Sequence, residues 1–166
     1  MRKTMLLAAS ALAALIAQPL LAKDINLRLT AKEVMLPIDN KGTMQASWTY
    51  EGQIPGPVLR VTEGDRVTIT LTNDPANKNS HSIDLHAARV DVVKDFEAIK
   101  PGETKAFSFV ATYPGAFYYH CGSDPMYQHI ARGMFGVILV DPKDPKAERK
   151  VLVKAGVDLG DVNIRK

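Results

Sequence analysis

All four histidines of the chain fall in two short segments, Ser80-His81-Ser82-Ile83-Asp84-Leu85-His86 and the stretch from His120-Cys121 through His129 to Met134. The second segment holds the only cysteine and carries a Cys-x7-His-x4-Met spacing. A thiolate and two imidazoles hold copper in a trigonal plane, and a long axial thioether tunes its potential; that is a blue-copper (type 1) electron-transfer site. Cys121, His129 and Met134 with a second histidine supply those four donors. Zinc takes four strong ligands in a tetrahedron and has no use for a thioether. Taken singly, Met134 would be core filler, Cys121 a small buried residue and His129 a surface residue. Together in this register, with Gly133 and Gly136 flanking Met134, they point to a metal centre.

Strand parity sorts the other histidines, because successive side chains of a strand point to opposite faces. His120 adjoins Cys121, so a Cys121 that faces the interior turns His120 away. His81 and His86 are five apart, an odd separation that sends them to opposite faces of an extended segment. The economical pairing puts His81 with Cys121, and His86 with His120 at a second site. Asp84, two before His86, shares its face, so the second site has two imidazoles and a carboxylate. The peptide between His120 and Cys121 would then be a short covalent path between two metals. The alternative makes His86 and His120 plain surface residues.

The elements that must position these side chains are strands. Arg66–Thr72 alternates strictly, with Val67, Ile69 and Leu71 on one face. Further runs rich in β-branched and aromatic residues are Ile25–Val34, Gln45–Tyr50, Thr104–Ala111, Ala116–His120 and Phe135–Val140. Pro-, Gly- and Asn-containing turns separate them, at residues 54–57, 63–65, 73–75, 100–102 and 113–115. The pattern implies an all-β fold, an antiparallel Greek-key β-sandwich. Residues 87–100 read as a longer loop with a short helical turn, and no sustained helical period occurs beyond the N-terminal apolar run. One domain over residues 23–141 is expected to be followed by an extension, 142–166. There the charged, Pro-broken run Asp141–Lys146 forms a hinge and Val151–Val153 an extra strand.

Composition bounds the remaining possibilities. The 166 residues are 46% hydrophobic and 23% charged, too apolar for a disordered chain. A lone cysteine excludes an intramolecular disulfide framework. Arg2-Lys3, the apolar run Met5–Ile16 and Ala22 after Gln18-Pro19-Leu20-Leu21 make residues 1–22 a secretory signal peptide, which places the protein in the periplasm or outside the cell. No apolar stretch long enough to span a membrane follows it. Of 21 Lys+Arg and 18 Asp+Glu, that segment holds two basic and no acidic residues, so the formal charge of +3 falls to +1 after its removal. A near-neutral surface does not favour nucleic acid as a partner. In an oxidising compartment an idle thiol is a liability, so Cys121 is expected to be buried or metal-bound.

The stretch Gly52–Asp65 (GQIPGPVLRVTEGD), with Lys100-Pro101-Gly102-Glu103-Thr104 and Tyr113–Cys121 (YPGAFYYHC), resembles the cupredoxin domains of multicopper oxidases. Over residues 45–141 the chain resembles more specifically the N-terminal domain of copper-containing nitrite reductases, whose Asp-aromatic-His-Ala-Ala run is echoed by Asp84-Leu85-His86-Ala87-Ala88. The resemblance implies type 1 copper on His81, Cys121, His129 and Met134. It implies type 2 copper on His86 and His120, and a proton-handling role for Asp84. Departures accompany it. The family's enzymes carry a second cupredoxin domain that supplies a third type 2 histidine and a catalytic histidine across a trimer interface, whereas this sequence has one such domain and no fifth histidine. Its loop from Cys121 to His129 is also one residue shorter.

Two functional classes follow. One is an electron carrier that docks on a redox partner protein through an apolar rim around His129 and Met126. The other is a copper oxidoreductase, a homotrimer in which type 1 copper feeds a type 2 copper that reduces nitrite to nitric oxide, with Asp84 relaying protons and nitrite or another small oxyanion as the bound partner. A laccase-like trinuclear centre needs His-x-His pairs, and the sequence has none.

Overall fold

Alternation builds the strands of this protein. In β4 (Arg66–Asn73) the side chains of Val67, Ile69 and Leu71 are buried while Thr68, Thr70 and Thr72 face partly outward. The computed structural model describes residues 22–156; the expected leader over residues 1–22 lies outside them save for its last residue, as does the chain beyond 156. Strands β1 (Asp24–Pro37), β2 (Met44–Tyr50), β3 (Leu59–Thr62) and β5 (Asp84–Leu85) are followed by α1 (Val92–Asp95) and β6 (Thr104–Val110). The chain continues through β7 (Gly115–His120), α2 (Met126–Ala131), β8 (Phe135–Asp141) and α3 (Pro145–Lys154). Among the described residues no helix is long and apolar enough to cross a membrane.

The strands form two four-stranded sheets, ordered β2-β1-β4-β6 and β3-β8-β7-β5. Leu29, Val67, Ile69, Phe107 and Phe109 of the first meet Val61, Leu85, Tyr119, Ile138 and Val140 of the second in one core. The chain changes sheet after β2, β3, β4, β5 and β6, which is the Greek-key wiring of an all-β sandwich. The sequence reading of a purely antiparallel sandwich needs correction, because β1–β4 and β3–β8 pair in parallel. Each such pair joins strands that the crossovers separate, so both can run the same way without a tight turn.

Long β1 serves two partners. Its first half, from Asp24, pairs with β4, and its second half, from Ala31 to Pro37, pairs with β2 as a hairpin. Glu33 and Trp48 are directly opposite in that hairpin and so share a face. Between the sheets Tyr50 and Tyr119 meet edge-on at 5.3 Å, and Tyr50 donates from its hydroxyl to Ser82 O at 2.7 Å. Gly136 lies against the Tyr119 ring; a Cβ there would stand 2.2 Å from Tyr119 Cζ.

The extra strand expected at Val151–Val153 is instead the end of helix α3. Asp144 Oδ1 accepts from the backbone N–H groups of Lys146 and Ala147, and Pro145 occupies the first helical position. This cap nucleates a helix that overrides the β preference of two valines. The expected helical turn in residues 87–100 is α1, capped by Asp91.

Candidate metal centre

The first cluster stands at one end of the sandwich, where β7 runs out and the segment 121–134 returns to β8. Cys121 is the residue after β7 and is fully buried, while His120 before it is only partly so. Cys121 N donates to Met134 O, and Met134 N donates to His129 O, each at 3.1 Å. These bonds close the segment and tie Cys121, His129 and Met134 together through backbone. Gly133 makes the return possible: its φ is +116°, and a Cβ there would lie 2.2 Å from Ile54 Cδ1 and 3.1 Å from Trp48 O. His81 comes in from the other side, pinned by paired backbone hydrogen bonds with Ile99.

His81, Cys121 and His129 are all buried and bring one donor atom each within 4.8 Å of the others. His81 Nδ1 and His129 Nδ1 stand 3.2 Å apart, and Cys121 Sγ is 3.2 Å from His129 Nδ1. Two nitrogens that share one transition-metal ion at about 2.0–2.1 Å stand roughly 2.9–3.4 Å apart for angles between a right angle and the tetrahedral value. The residues present therefore fit a metal, and a thiolate with two imidazoles fits a soft one. Met134 is fully buried and joined to the cluster by its backbone. Burial alone would push the Cys121 thiol up, but hydrogen bonding, from His129 foremost, outweighs it and brings the pKa down to about 5. Ser82 N–H donates to the sulfur at 3.3 Å. The ligand is thus ready as a thiolate at neutral pH.

Two residues at this cluster have no local signal in the sequence. Trp48 packs against both imidazoles, with ring centroids 5.6 Å from His81 and 4.5 Å from His129, and the Arg132 guanidinium lies over its indole at 4.8 Å. Glu33 accepts from His81 Nε2 at 3.1 Å. Burial raises the Glu33 pKa, but hydrogen bonds from Asn79, Lys78 and His81 more than offset this and hold it below the ordinary value. Both act at sequence separations that periodicity does not reach.

The second cluster lies on the outer side of β5 and β7. Asp84 and His120 are cross-strand partners, and His86 Nε2 stands 3.1 Å from His120 Nε2. The donor atoms of Asp84, His86 and His120 all lie within 4.8 Å of one another. His120 Nδ1 is 3.2 Å from Cys121 O; a carbonyl only accepts, so Nδ1 carries the proton and Nε2 presents a lone pair. A hollow of about 330 Å³ opens beside it, walled by His86, Tyr118, His120, Ile130 and Phe135. Here too the nitrogen spacing suits one shared ion, held by only two imidazoles and exposed at His86. The structure brings together His81 with Cys121 and His129, and His86 with His120 and Asp84.

The sequence model of the family described as multicopper oxidase matches residues 33–145, the span that carries both clusters. The chain belongs to the multicopper oxidase family. This multicopper oxidase domain is 62% identical to the copper nitrite reductase of Nitrosomonas europaea, whose solved structure superposes with a TM-score of 0.73 over 75% of this chain and 44% of that one. The copper-containing nitrite reductase of Thermus scotoductus is 35% identical with a TM-score of 0.68, over 78% of this chain and 30% of that one. In sequence, the copper-containing nitrite reductase of Neisseria meningitidis serogroup A is 36% identical over 137 residues, 80% of this chain and 35% of that protein. The domain thus spans about a third of that sequence relative. Its all-β Greek-key sandwich is of the cupredoxin type.

Proposed function

We propose that this domain is a copper redox module that moves single electrons through a type 1 centre held by His81, Cys121, His129 and Met134. The observation that carries this reading is the buried meeting of one thiolate and two imidazoles, donor atoms inward, on a segment closed by Met134. His81, Cys121, His129 and Met134 would hold copper there, and the metal would supply a one-electron couple. The chain's residues keep water out: Cys121, His81 and Met134 are fully buried, and Trp48 lies against both imidazoles. Export through a leader at residues 1–22, a domain over 23–141 with an extension beyond it, and docking on a redox partner protein belong to the same proposal.

The second cluster favours a further reading, catalysis of nitrite reduction. His86 and His120 offer two of the three imidazoles of a type 2 copper site, with Asp84 beside them. In a homotrimer a carboxylate or water at the interface with a neighbouring copy would replace the missing histidine, and a further part of a longer chain is the other source. One-electron reduction of nitrite to nitric oxide takes up two protons and releases water, and the Asp84 carboxyl lies where it can pass a proton to an oxyanion beside the two imidazoles. An electron paramagnetic resonance spectrum of the copper(II)-loaded protein, with copper counted per chain, tests both readings. A narrow-hyperfine signal at one copper per chain supports the carrier. A second, wide-hyperfine signal that shifts on addition of nitrite supports the enzyme. Absence of the narrow signal overturns the type 1 assignment.

A further inference from the structure

One oxygen atom of Glu33 gathers four N–H donors. Its Oε1 accepts from Lys78 N at 3.1 Å, Asn79 N at 2.8 Å, Asn79 Nδ2 at 3.0 Å and His81 Nε2 at 3.1 Å. The residue is itself stapled to the same loop, since Glu33 N donates to Asn77 Oδ1 at 2.8 Å and Asn77 Nδ2 donates to Ala31 O at 2.8 Å. The glutamate therefore sits rigidly on β1 with its carboxylate driven into the turn that delivers His81. A carboxylate oxygen can only accept, so the ring nitrogen facing it carries the proton. A neutral imidazole has one such proton, which leaves Nδ1 with its lone pair turned toward His129 and Cys121.

We propose that Glu33 is the positioning residue for His81: through Oε1 it fixes the Nε2–H tautomer and the ring orientation that presents Nδ1 to the metal site. This rests on the type 1 reading above for the identity of the metal, but not for the tautomer. Partners of this kind, one shell out from a metal, typically change affinity 10- to 100-fold when lost. The fixed ring also explains why His81 needs no place on the 121–134 segment. β1 supplies from 48 residues away the orientation that the other ligands obtain from local backbone.

The test uses the full chain and two substitutions. Because all four donors converge on one oxygen, Glu33→Gln keeps an acceptor in place while discarding the charge. Glu33→Ala removes the acceptor. Nitrogen-15 NMR of the metal-free and zinc-loaded proteins should show His81 protonated at Nε2 in the parent and in Glu33→Gln. In Glu33→Ala that preference should be lost, and zinc and copper affinity should fall 10- to 100-fold. An unchanged tautomer and affinity in Glu33→Ala would overturn the proposal. So would a folded Glu33→Gln that loses tautomer and affinity, since charge rather than the accepting oxygen would then be responsible. A parent protein with the Nε2–H tautomer but no type 1 spectrum would instead refute the copper reading and leave the positioning role standing.

Discussion

Gly133→Ala should be among the most damaging small substitutions in the domain. Gly133 has φ +116°, where an L-residue is strained by about 1–3 kcal/mol. Its new Cβ would also meet Ile54 Cδ1 at 2.2 Å and Cγ1 at 2.5 Å, with Trp48 O at 3.1 Å. Overpacking of this kind costs about 1–3 kcal/mol. The sum, about 2–6 kcal/mol, is a large share of a typical stability of about 5–15 kcal/mol. Urea unfolding of the metal-free protein should show a lower midpoint at unchanged slope. The two contributions separate in a double-mutant cycle. Ile54 is partly exposed, so Ile54→Ala should relieve the side-chain clash and couple favourably to Gly133→Ala by about 1–3 kcal/mol. It cannot relieve the backbone strain or the contact with Trp48 O. Gly133→Ala within about 0.5 kcal/mol of the parent, or full rescue by Ile54→Ala, would refute the reasoning.

Cys121 has a folded pKa of about 5, below the ~8.5 of an unfolded cysteine, so between these values the folded chain binds fewer protons. Its stabilisation is complete above the unfolded value and is lost as pH falls toward 5; relative to Cys121→Ser, the metal-free protein should gain up to about 1.4 kcal/mol per pH unit across this window. Parallel pH–stability profiles for the two proteins would contradict this. Cys121→Ser should also abolish intense visible colour with copper, and a variant that stays blue would remove Cys121 from the site. Tyr50→Phe strands the buried Ser82 carbonyl and should cost about 1–3 kcal/mol by thermal unfolding. His86→Ala with His120→Ala should remove any second copper and leave the type 1 absorption in place; loss of the colour would mean the two clusters are not independent sites.

Much of the site was readable because its donors are local. Cys121, His129 and Met134 announce themselves by spacing, and strand parity places His120 opposite Cys121. The large strands were visible for the same reason, since Val67, Ile69 and Leu71 repeat every second residue. What escaped had no periodic trace. β5 has two residues and α2 six, too short for either period to show. Glu33 and Trp48 sit in β1 and β2 with nothing in their neighbourhood to mark them, and their meaning arises only when the hairpin folds over His81 and His129. The valines near 151 were misread because a cap seven residues upstream of Val151 outweighs local β preference.

The hydrogen bond from Cys121 N to Met134 O turns residues 121–134 into a closed ring at the mouth of the β7–β8 pair. Loop-closure entropy grows only as the logarithm of length, so two more residues in such a ring would destabilise the fold by roughly 0.1 kcal/mol. The same insertion would displace His129 relative to Cys121 and Met134. The closure entropy is therefore nearly indifferent to the length of this segment, while the spacing of its donors is not. The two sheets form a chassis and the ring a cartridge clipped to one end of it, whose length sets how its donors meet.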